Sequence, residues 1–318
     1  MTAAGLPTKT SIFQFKPLQD YTPDKFLGLP PEHTNPERAR YVVVPVPYEG
    51  TVCFLKGTAG GPQAIIDVSC QMESFDEETR AEYFRAGIAT DEPVLPAATP
   101  EETASGVRLR AERWFAKDAF PVFLGGEHGI TLGAVQAAVD RHGPLSVLQF
   151  DAHADLRQSF TGGTYSHASV MRRVLEHTDS LVQVGIRSFS KEEADECPER
   201  IAKIIRPCMV ARARERTIET ILFRLRHNVY ITIDMDGFDP AVAPGVGTPE
   251  PGGLRYPDVL AIIRAVIANK NVVGADVVET LPLGGNQVAT EFLAARLVGK
   301  IIAYREALAI RNPKSTTE

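Results

Sequence analysis

Apolar residues fall along this chain in short unbroken runs, separated by longer stretches where they recur every three or four positions. The runs Tyr41–Val44, Val122–Leu124, Leu145–Phe150, Leu181–Gly185, Val229–Ile233 and Val272–Val278 read as buried strands. The stretches with helical spacing predict helices over Gln63–Phe75, Glu101–Ala116, Ile130–Val139, Met171–Leu175, onward from Lys191, Thr217–Arg226, Tyr256–Asn269 and Glu291–Glu306. Strand and helix alternate throughout, which predicts an α/β fold with a mostly parallel sheet covered on both faces. No composition shift or internal repeat divides residues 39–318, so they read as one domain. Residues 1–38, dotted with Pro7, Pro17, Pro23, Pro30, Pro31 and Pro36, read as an N-terminal arm that packs on a neighbouring surface. The tail Asn312–Glu318 is expected to fray.

Polar residues interrupt this pattern at one kind of place. His128, Asp151, His153, Asp155, Asp234, Asp236 and Glu279 all sit at or just past the ends of predicted strands. In a parallel sheet those ends share one edge, where ligand crevices form. Asp151, His153 and Asp155 are spaced i, i+2, i+4, and Asp234 and Asp236 repeat the i, i+2 step. In extended backbone alternate side chains point the same way, so both clusters can face one point. Four aspartates gathered there repel one another without counter-charge, and two divalent cations would balance them. Oxygen-dominated ligation with one histidine per metal favours Mn²⁺ over a tetrahedral structural Zn²⁺. Two such ions sharing a water lower its pKa and ready it for hydrolysis of an electrophilic carbon or phosphorus. Glu279 lies on the same edge outside the i, i+2 pattern and is placed to hold a cationic group such as a guanidinium. His167, in a glycine-rich loop beyond the first cluster, is a candidate proton shuttle. His33, His142, His177 and His227 lack such context and read as surface residues.

Composition changes this picture mainly by exclusion. The chain has 318 residues, 44% of them apolar, enough for a sizeable core. A formal net charge of −6 argues against a nucleic-acid or anionic-membrane partner. Cys53, Cys70, Cys197 and Cys208 are scattered and read as reduced thiols. The first residues lack the apolar core of a secretory signal, and no run approaches about 20 apolar residues. The expectation is a soluble cytoplasmic protein. Gly57-Thr-Ala-Gly-Gly-Pro62 lacks the Gly-Lys-Ser/Thr ending of a phosphate loop and reads instead as a place where backbone approaches another loop. The basic helix over Thr217–Arg226 reads as a solvated face or a subunit contact.

Gly125-Gly-Glu-His128, Asp151-Ala-His-Ala-Asp155, Ile233-Asp-Met-Asp-Gly-Phe-Asp-Pro240 with Ala243–Gly253, and Asp276-Val-Val-Glu279 resemble, in order, the motifs of the ureohydrolase family, which holds arginases and agmatinases. The resemblance runs from about Val42 to Tyr304. It implies a three-layer α/β/α fold and two Mn²⁺ ions per chain. One ion would take His128, Asp151, Asp155 and Asp234, and the other Asp151, His153, Asp234 and Asp236. It further implies attack on a guanidinium carbon to give urea and an amine. In that scheme Asp155 and His167 move the proton and Glu279 orients the guanidinium. Family members are commonly trimers or hexamers, so a homo-oligomer is expected. Tyr165–Arg173 and Val184–Ser188 resemble agmatinases more than arginases, which implies agmatine as substrate and putrescine as the second product. After Glu279 many agmatinases continue differently from Thr280-Leu-Pro-Leu-Gly-Gly-Asn286, a loop expected beside the substrate. Glu127 stands where the family often has Asp and is not a metal ligand by this match.

Three alternatives remain open at the level of sequence. The guanidino compound could be guanidinobutyrate, guanidine or arginine. A metal-dependent deacylase of related fold would need one metal rather than two. A non-catalytic family member would be expected to have lost ligands, and none is missing.

Overall fold

The computed structural model describes residues 24–311. The first part of the N-terminal arm and the C-terminal tail lie outside the described residues. The strands are β1 (Tyr41–Val46), a two-residue pair β2 (Phe75–Asp76) and β3 (Ala81–Glu82), then β4 (Ile88–Thr90), β5 (Phe120–Gly125), β6 (Leu145–Phe150), β7 (Leu181–Val184), β8 (Asn228–Asp234) and β9 (Asn271–Val278). Seven of them form one sheet in the order β4-β1-β5-β9-β8-β6-β7. Every pairing in it is parallel. β2 and β3 pair antiparallel as a separate ribbon.

The strand runs are continuous rather than alternating because both faces of the sheet are covered. Val43, Val122, Leu124, Leu148, Phe150, Ile231 and Ile233 face a core shared with the helices Gly61–Ser69, Tyr256–Asn269 and Ala289–Arg311. Their neighbours Val42, Val44, Phe123, Val147 and Tyr230 face a second core under Pro100–Phe115, Thr131–His142 and Val170–Val174. Helix, sheet and helix make three layers, as the strand–helix alternation predicts.

Element ends follow local chemistry. Pro100–Phe115 starts with proline in its first turn and a capping box, the Thr99 side chain accepting from the Glu102 amide and the Glu102 side chain answering the Thr99 amide. The helix expected over Gln63–Phe75 stops at Ser69, well short of its predicted end. There the Ser69 hydroxyl donates back to the Ile66 carbonyl and accepts the Leu27 amide at 2.7 Å, tying the chain to residues before β1. Those residues include Phe26 and Leu29, both buried in the first core, so this part of the arm packs on the chain's own domain. The edge strand β4 is only three residues long, too short to register as a periodic run. It ends at Thr90 opposite Val43, so Pro45, further along β1, faces no β4 ladder it would have to donate to.

Two glycines set the close approaches on which the site depends. A Cβ on Gly61 would lie 2.4 Å from the Thr280 carbonyl, so the Gly57–Pro62 loop packs backbone to backbone against the chain leaving β9. A Cβ on Gly126 would lie 2.1 Å from the Tyr48 carbonyl. Gly126 donates to the Val46 carbonyl at 3.0 Å and accepts the Glu279 amide at 2.7 Å, lacing the ends of β1, β5 and β9 together. Gly126→Ala must therefore push these strand ends apart. We expect it to destabilise the fold by about 2–3 kcal/mol, read as a lower urea midpoint at unchanged slope.

Candidate metal centre

β5, β9, β8 and β6 are neighbours at the middle of the sheet, and being parallel they end on one edge. His128 opens a short 3-10 turn just past β5 and Asp151 directly follows β6. Asp234 ends β8, Asp236 lies in the 3-10 turn Met235–Gly237, and Glu279 follows β9. The structure brings all of these predicted residues together. Simple alternation in extended backbone does not account for every one of them. Asp155 has φ +55° and Glu279 φ +62°, both in the left-handed region, so each is turned toward the cluster by its backbone. Such conformations cost about 1–3 kcal/mol each and gather at functional sites.

Ligating atoms of His128, Asp151 and Asp155 lie within 4.8 Å of one another, and so do those of Asp151, His153 and Asp236. Asp151 belongs to both groups. Nδ1 of His128 lies 3.0 Å from Asp151, 3.1 Å from Asp155 and 3.3 Å from Asp234. It is buried and in hydrogen-bond line with none of them. A nitrogen ringed by three carboxylates and bonded to none fits a cation held between them. His153 Nδ1 sits 3.0 Å from Asp236 on the other side. These residues could hold divalent metal ions.

Electrostatics within the cluster shows the strain of its buried charge. Burial opposes a positive His128, but Asp151, Asp155 and Asp234 outweigh it and hold its pKa well above the usual imidazole value. Burial likewise opposes charge on His153, and Asp236 and Asp151 carry it up to about 11. Asp151 is pushed up to about 7 by burial, with Asp155 and Asp236 adding repulsion. Asp234 goes well above the carboxylate range for the same reasons, with Asp236 and Asp151 as its neighbours. For Asp236, burial pulls upward but the His153 imidazole prevails and the net shift is down.

Several supporting residues have no signature in the sequence. Gln149, inside β6, donates to Asp151 Oδ2 at 2.7 Å and accepts from Gln183 of β7 at 2.7 Å. Thr248 donates to Asp236 at 3.0 Å. The Arg187 guanidinium donates to the carbonyls of Gly185, Asp236, Gly237, Phe238, Glu250 and Pro251, clamping the loops after β7 and β8. His128 Nε2 lies 2.8 Å from the Thr232 hydroxyl, which donates to Asp276 at 2.6 Å. With its proton given to the carboxylate, Thr232 accepts from Nε2–H, so Nδ1 is the nitrogen left to face the cluster. The only hints a sequence offers of such partners are a glutamine or threonine inside a buried strand, and an aspartate such as Asp276 within an apolar run.

The cluster floors a cavity of about 240 Å³. Its walls include Val52, Cys53, Phe54, Leu55, Arg157, Phe160, His167, Phe189, Glu193 and Thr248. His167 therefore does reach the site. Its Nδ1 lies 3.0 Å from the Thr51 hydroxyl and its Nε2 3.6 Å from Cys53 Sγ. Burial lowers its pKa below the usual imidazole value. Glu279 also lines the cavity, its Oε1 accepting the His128 amide at 2.8 Å. Burial raises its pKa, and Glu127 adds to the shift.

Two expectations are corrected. The loop Thr280–Asn286 does not line the cavity. Leu281 is buried under the Gly57–Pro62 loop and its amide donates to Gly245, which directs this segment away from the opening, while Val52–Leu55 supplies the wall instead. His33 and His142 are half-buried rather than surface residues, their rings edge-on to Phe84 and Phe115. His177 and His227 are exposed. Cys53, Cys197 and Cys208 are free thiols. No described helix is long and apolar enough to cross a membrane.

Residues 39–303 match the family described as the Arginase family. The N(1)-aminopropylagmatine ureohydrolase of Synechocystis sp. is 37% identical over 297 residues, covering 89% of this chain and 97% of its own. The N(1)-aminopropylagmatine ureohydrolase of Thermus thermophilus is 40% identical over 270 residues, covering 85% and 91%. The solved structure of the agmatine ureohydrolase of Thermoplasma volcanium superposes with a TM-score of 0.81 at 33% identity, covering 95% of this chain and 98% of that one.

The raised pKa values of Asp151 and Asp234 have a sign that can be measured. A carboxylate whose folded pKa is raised favours folding while protonated and loses that contribution as pH rises through its folded value. His128 and His153, raised well above the usual imidazole value, titrate in the same direction, whereas His142 and His167, both lowered, oppose them. Chelator-treated protein should therefore melt at a lower temperature at pH 8 than at pH 6. Added divalent ion should raise the melting temperature more at pH 8. Calorimetry at the two pH values checks both, and equal melting temperatures would contradict the assignment of this cluster.

Proposed function

The chain belongs to the arginase family and is an agmatinase-like ureohydrolase, and on that premise we propose that it cleaves the guanidinium group of agmatine or an N-alkylated agmatine, releasing urea and the amine. From agmatine the amine is putrescine. The single observation that carries the reading is the position of Glu279. Its left-handed backbone turns a buried carboxylate into the cavity beside the two overlapping His/Asp groups, with Oε1 held by the His128 amide. A carboxylate held this way fixes the plane of a guanidinium, and the groups that ready water sit next to it.

The residues present fit two divalent ions, and we propose Mn²⁺. His128, Asp151, Asp155 and Asp234 would hold one, and Asp151, His153, Asp234 and Asp236 the other. Such a pair supplies Lewis-acid activation of the attacking water. The chain's own groups do the rest. Glu279 holds the guanidinium in plane for attack at its carbon. One C–N bond forms no part of urea, the bond to the alkyl nitrogen, and it breaks as that nitrogen receives a proton. Asp155 and His167 line the same cavity and are placed to carry this proton. Water adds one oxygen and two protons, so urea and a protonated amine balance the reaction. Phe54, Leu55, Phe160 and Phe189 give the outer cavity an apolar wall suited to a methylene chain. The relatives at 37% and 40% identity are named for an aminopropyl-extended agmatine, which supports a substrate of that kind.

A second reading rests on Arg157. Its guanidinium lines the cavity, 5.5 Å over the Phe160 ring, with no carboxylate partner among the described residues. A tail ending in a carboxylate, as in guanidinobutyrate, would pair with it.

The deciding measurement is urea release from Mn²⁺-loaded protein with agmatine, N(1)-aminopropylagmatine, arginine, guanidinobutyrate and guanidine side by side. The agmatine-type amines should lead in kcat/KM. A lead for guanidinobutyrate would favour the Arg157 reading, and no urea from any of them would overturn hydrolysis of guanidines. Glu279→Gln should lower kcat/KM by about 10–100-fold, corresponding to about 1.5–3 kcal/mol for a charge-assisted hydrogen bond.

A further inference from the structure

We propose that Thr51 and Glu127 form a positioning relay that decides which nitrogen of His167 carries its proton, leaving Nε2 bare toward the cavity. Glu127 is fully buried, and among the described residues neither of its side-chain oxygens is hydrogen-bonded to the His/Asp cluster. Instead Oε2 accepts the Thr51 amide at 2.6 Å and Oε1 accepts the Thr51 hydroxyl at 2.9 Å. A hydroxyl has one proton to give. With that proton directed at the carboxylate, Thr51 Oγ1 can only accept from everything else around it. Two groups of His167 meet it: the main-chain amide at 3.2 Å and Nδ1 at 3.0 Å. The amide is a donor by necessity, so the remaining lone pair requires Nδ1–H. The opposite tautomer would set the lone pair of Nδ1 against the lone pair of Oγ1 at that distance.

The other side of the ring agrees. Nε2 lies 3.6 Å from Cys53 Sγ, and a thiol is a weak donor suited to a bare nitrogen. The Phe160 ring stands edge-on to the imidazole, its centroid 5.4 Å away, which limits rotation of the ring. Thr51, Cys53, Glu127 and Phe160 therefore fix both the orientation of His167 and the nitrogen it offers. The consequence is directional. A bare Nε2 on the cavity side can accept a proton and return it to the leaving nitrogen, while Nδ1–H stays locked on Thr51. Thr51 and Glu127 act through His167 and touch no reacting atom, so they are positioning residues.

The kinetic part of the test rests on the guanidine-hydrolysis reading, and the spectroscopic part does not. Thr51→Val keeps the shape and removes the hydroxyl, and Thr51→Ser restores it. With whichever guanidino compound the native protein turns over best, Thr51→Val should lose about 10–100-fold in kcat with KM within about twofold, as expected for impaired proton transfer. Thr51→Ser should recover to within about threefold of native by the same reasoning. Nitrogen-15 spectra of histidine-labelled full-length protein, loaded with diamagnetic Zn²⁺ at pH 8, should show His167 with a protonated Nδ1 and an unprotonated Nε2. Native kcat in Thr51→Val, an equal loss in Thr51→Ser, a loss carried by KM, or a native His167 protonated on Nε2 would each overturn the relay. If Thr51→Val does not fold, the native spectrum decides alone. Absence of urea from every guanidino compound would overturn the functional reading and leave the tautomer to be read from the same spectrum.

Discussion

Buried like charge is the constraint from which the rest of this structure follows. Asp151, Asp155, Asp234 and Asp236 crowd one spot at the edge of the sheet, all of them buried. A charge taken out of water must be paired or neutralised. The protein supplies part of the compensation through His128 and His153, and the shifts of Asp151 and Asp234 show that this part is not enough. The strand order that places four central strand ends side by side, the glycines that let those ends touch and the left-handed turns at Asp155 and Glu279 all concentrate charge further. An arrangement that costs stability in the bare chain is coherent only if a cation repays it. Function and instability here have one physical origin.

Much of this is legible in the order of the amino acids alone. Long periodic segments such as Tyr256–Asn269 and the apolar run Leu145–Phe150 emerge with the predicted bounds, because burial on both faces of a parallel sheet leaves a strong pattern. The residues of the cluster are legible for a related reason, since polar residues at the ends of apolar runs have few structural uses. What cannot be read that way is anything decided by contacts far apart in sequence. The helix from Gly61 ends at Ser69, whose hydroxyl is tied to the Leu27 amide far earlier in the chain. Thr280–Asn286 follows Glu279 in sequence yet leaves the cavity, because Leu281 is drawn under a glycine loop more than two hundred residues earlier. Thr51, Thr232 and Gln149 are ordinary residues until their partners are known.

Two histidines of the site are governed by the same device used in opposite senses. Thr232 and Asp276 hold Nε2 of His128, so that Nδ1 faces the carboxylates. Thr51 and Glu127 meet Nδ1 of His167, so that Nε2 faces the cavity. In each case a threonine hydroxyl stands between imidazole and carboxylate, passing on the polarity of the acid without letting it form an ion pair with the ring. A carboxylate touching the His167 imidazole directly would favour its charged form, as Asp151, Asp155 and Asp234 do for His128 on its other nitrogen. The intervening hydroxyl keeps direction and gives up much of that pull.

The loop from Gly50 to Leu55 carries a consequence for how this protein can diversify. Phe54 and Leu55 form part of the cavity wall, and Thr51, three residues before Phe54, reaches His167. A change in the length of this loop would alter which tail fits and loosen the histidine in the same stroke. Phe160 is similarly entangled through its contact with the His167 ring. Phe189, after β7, lines the same cavity and has no ring contact with His167 among the described residues. New substrate preferences should therefore arise more readily from the Phe189 side chain than from the Gly50–Leu55 loop, as long as its neighbour Ser188 keeps its bond to the Ala152 carbonyl beside the cluster.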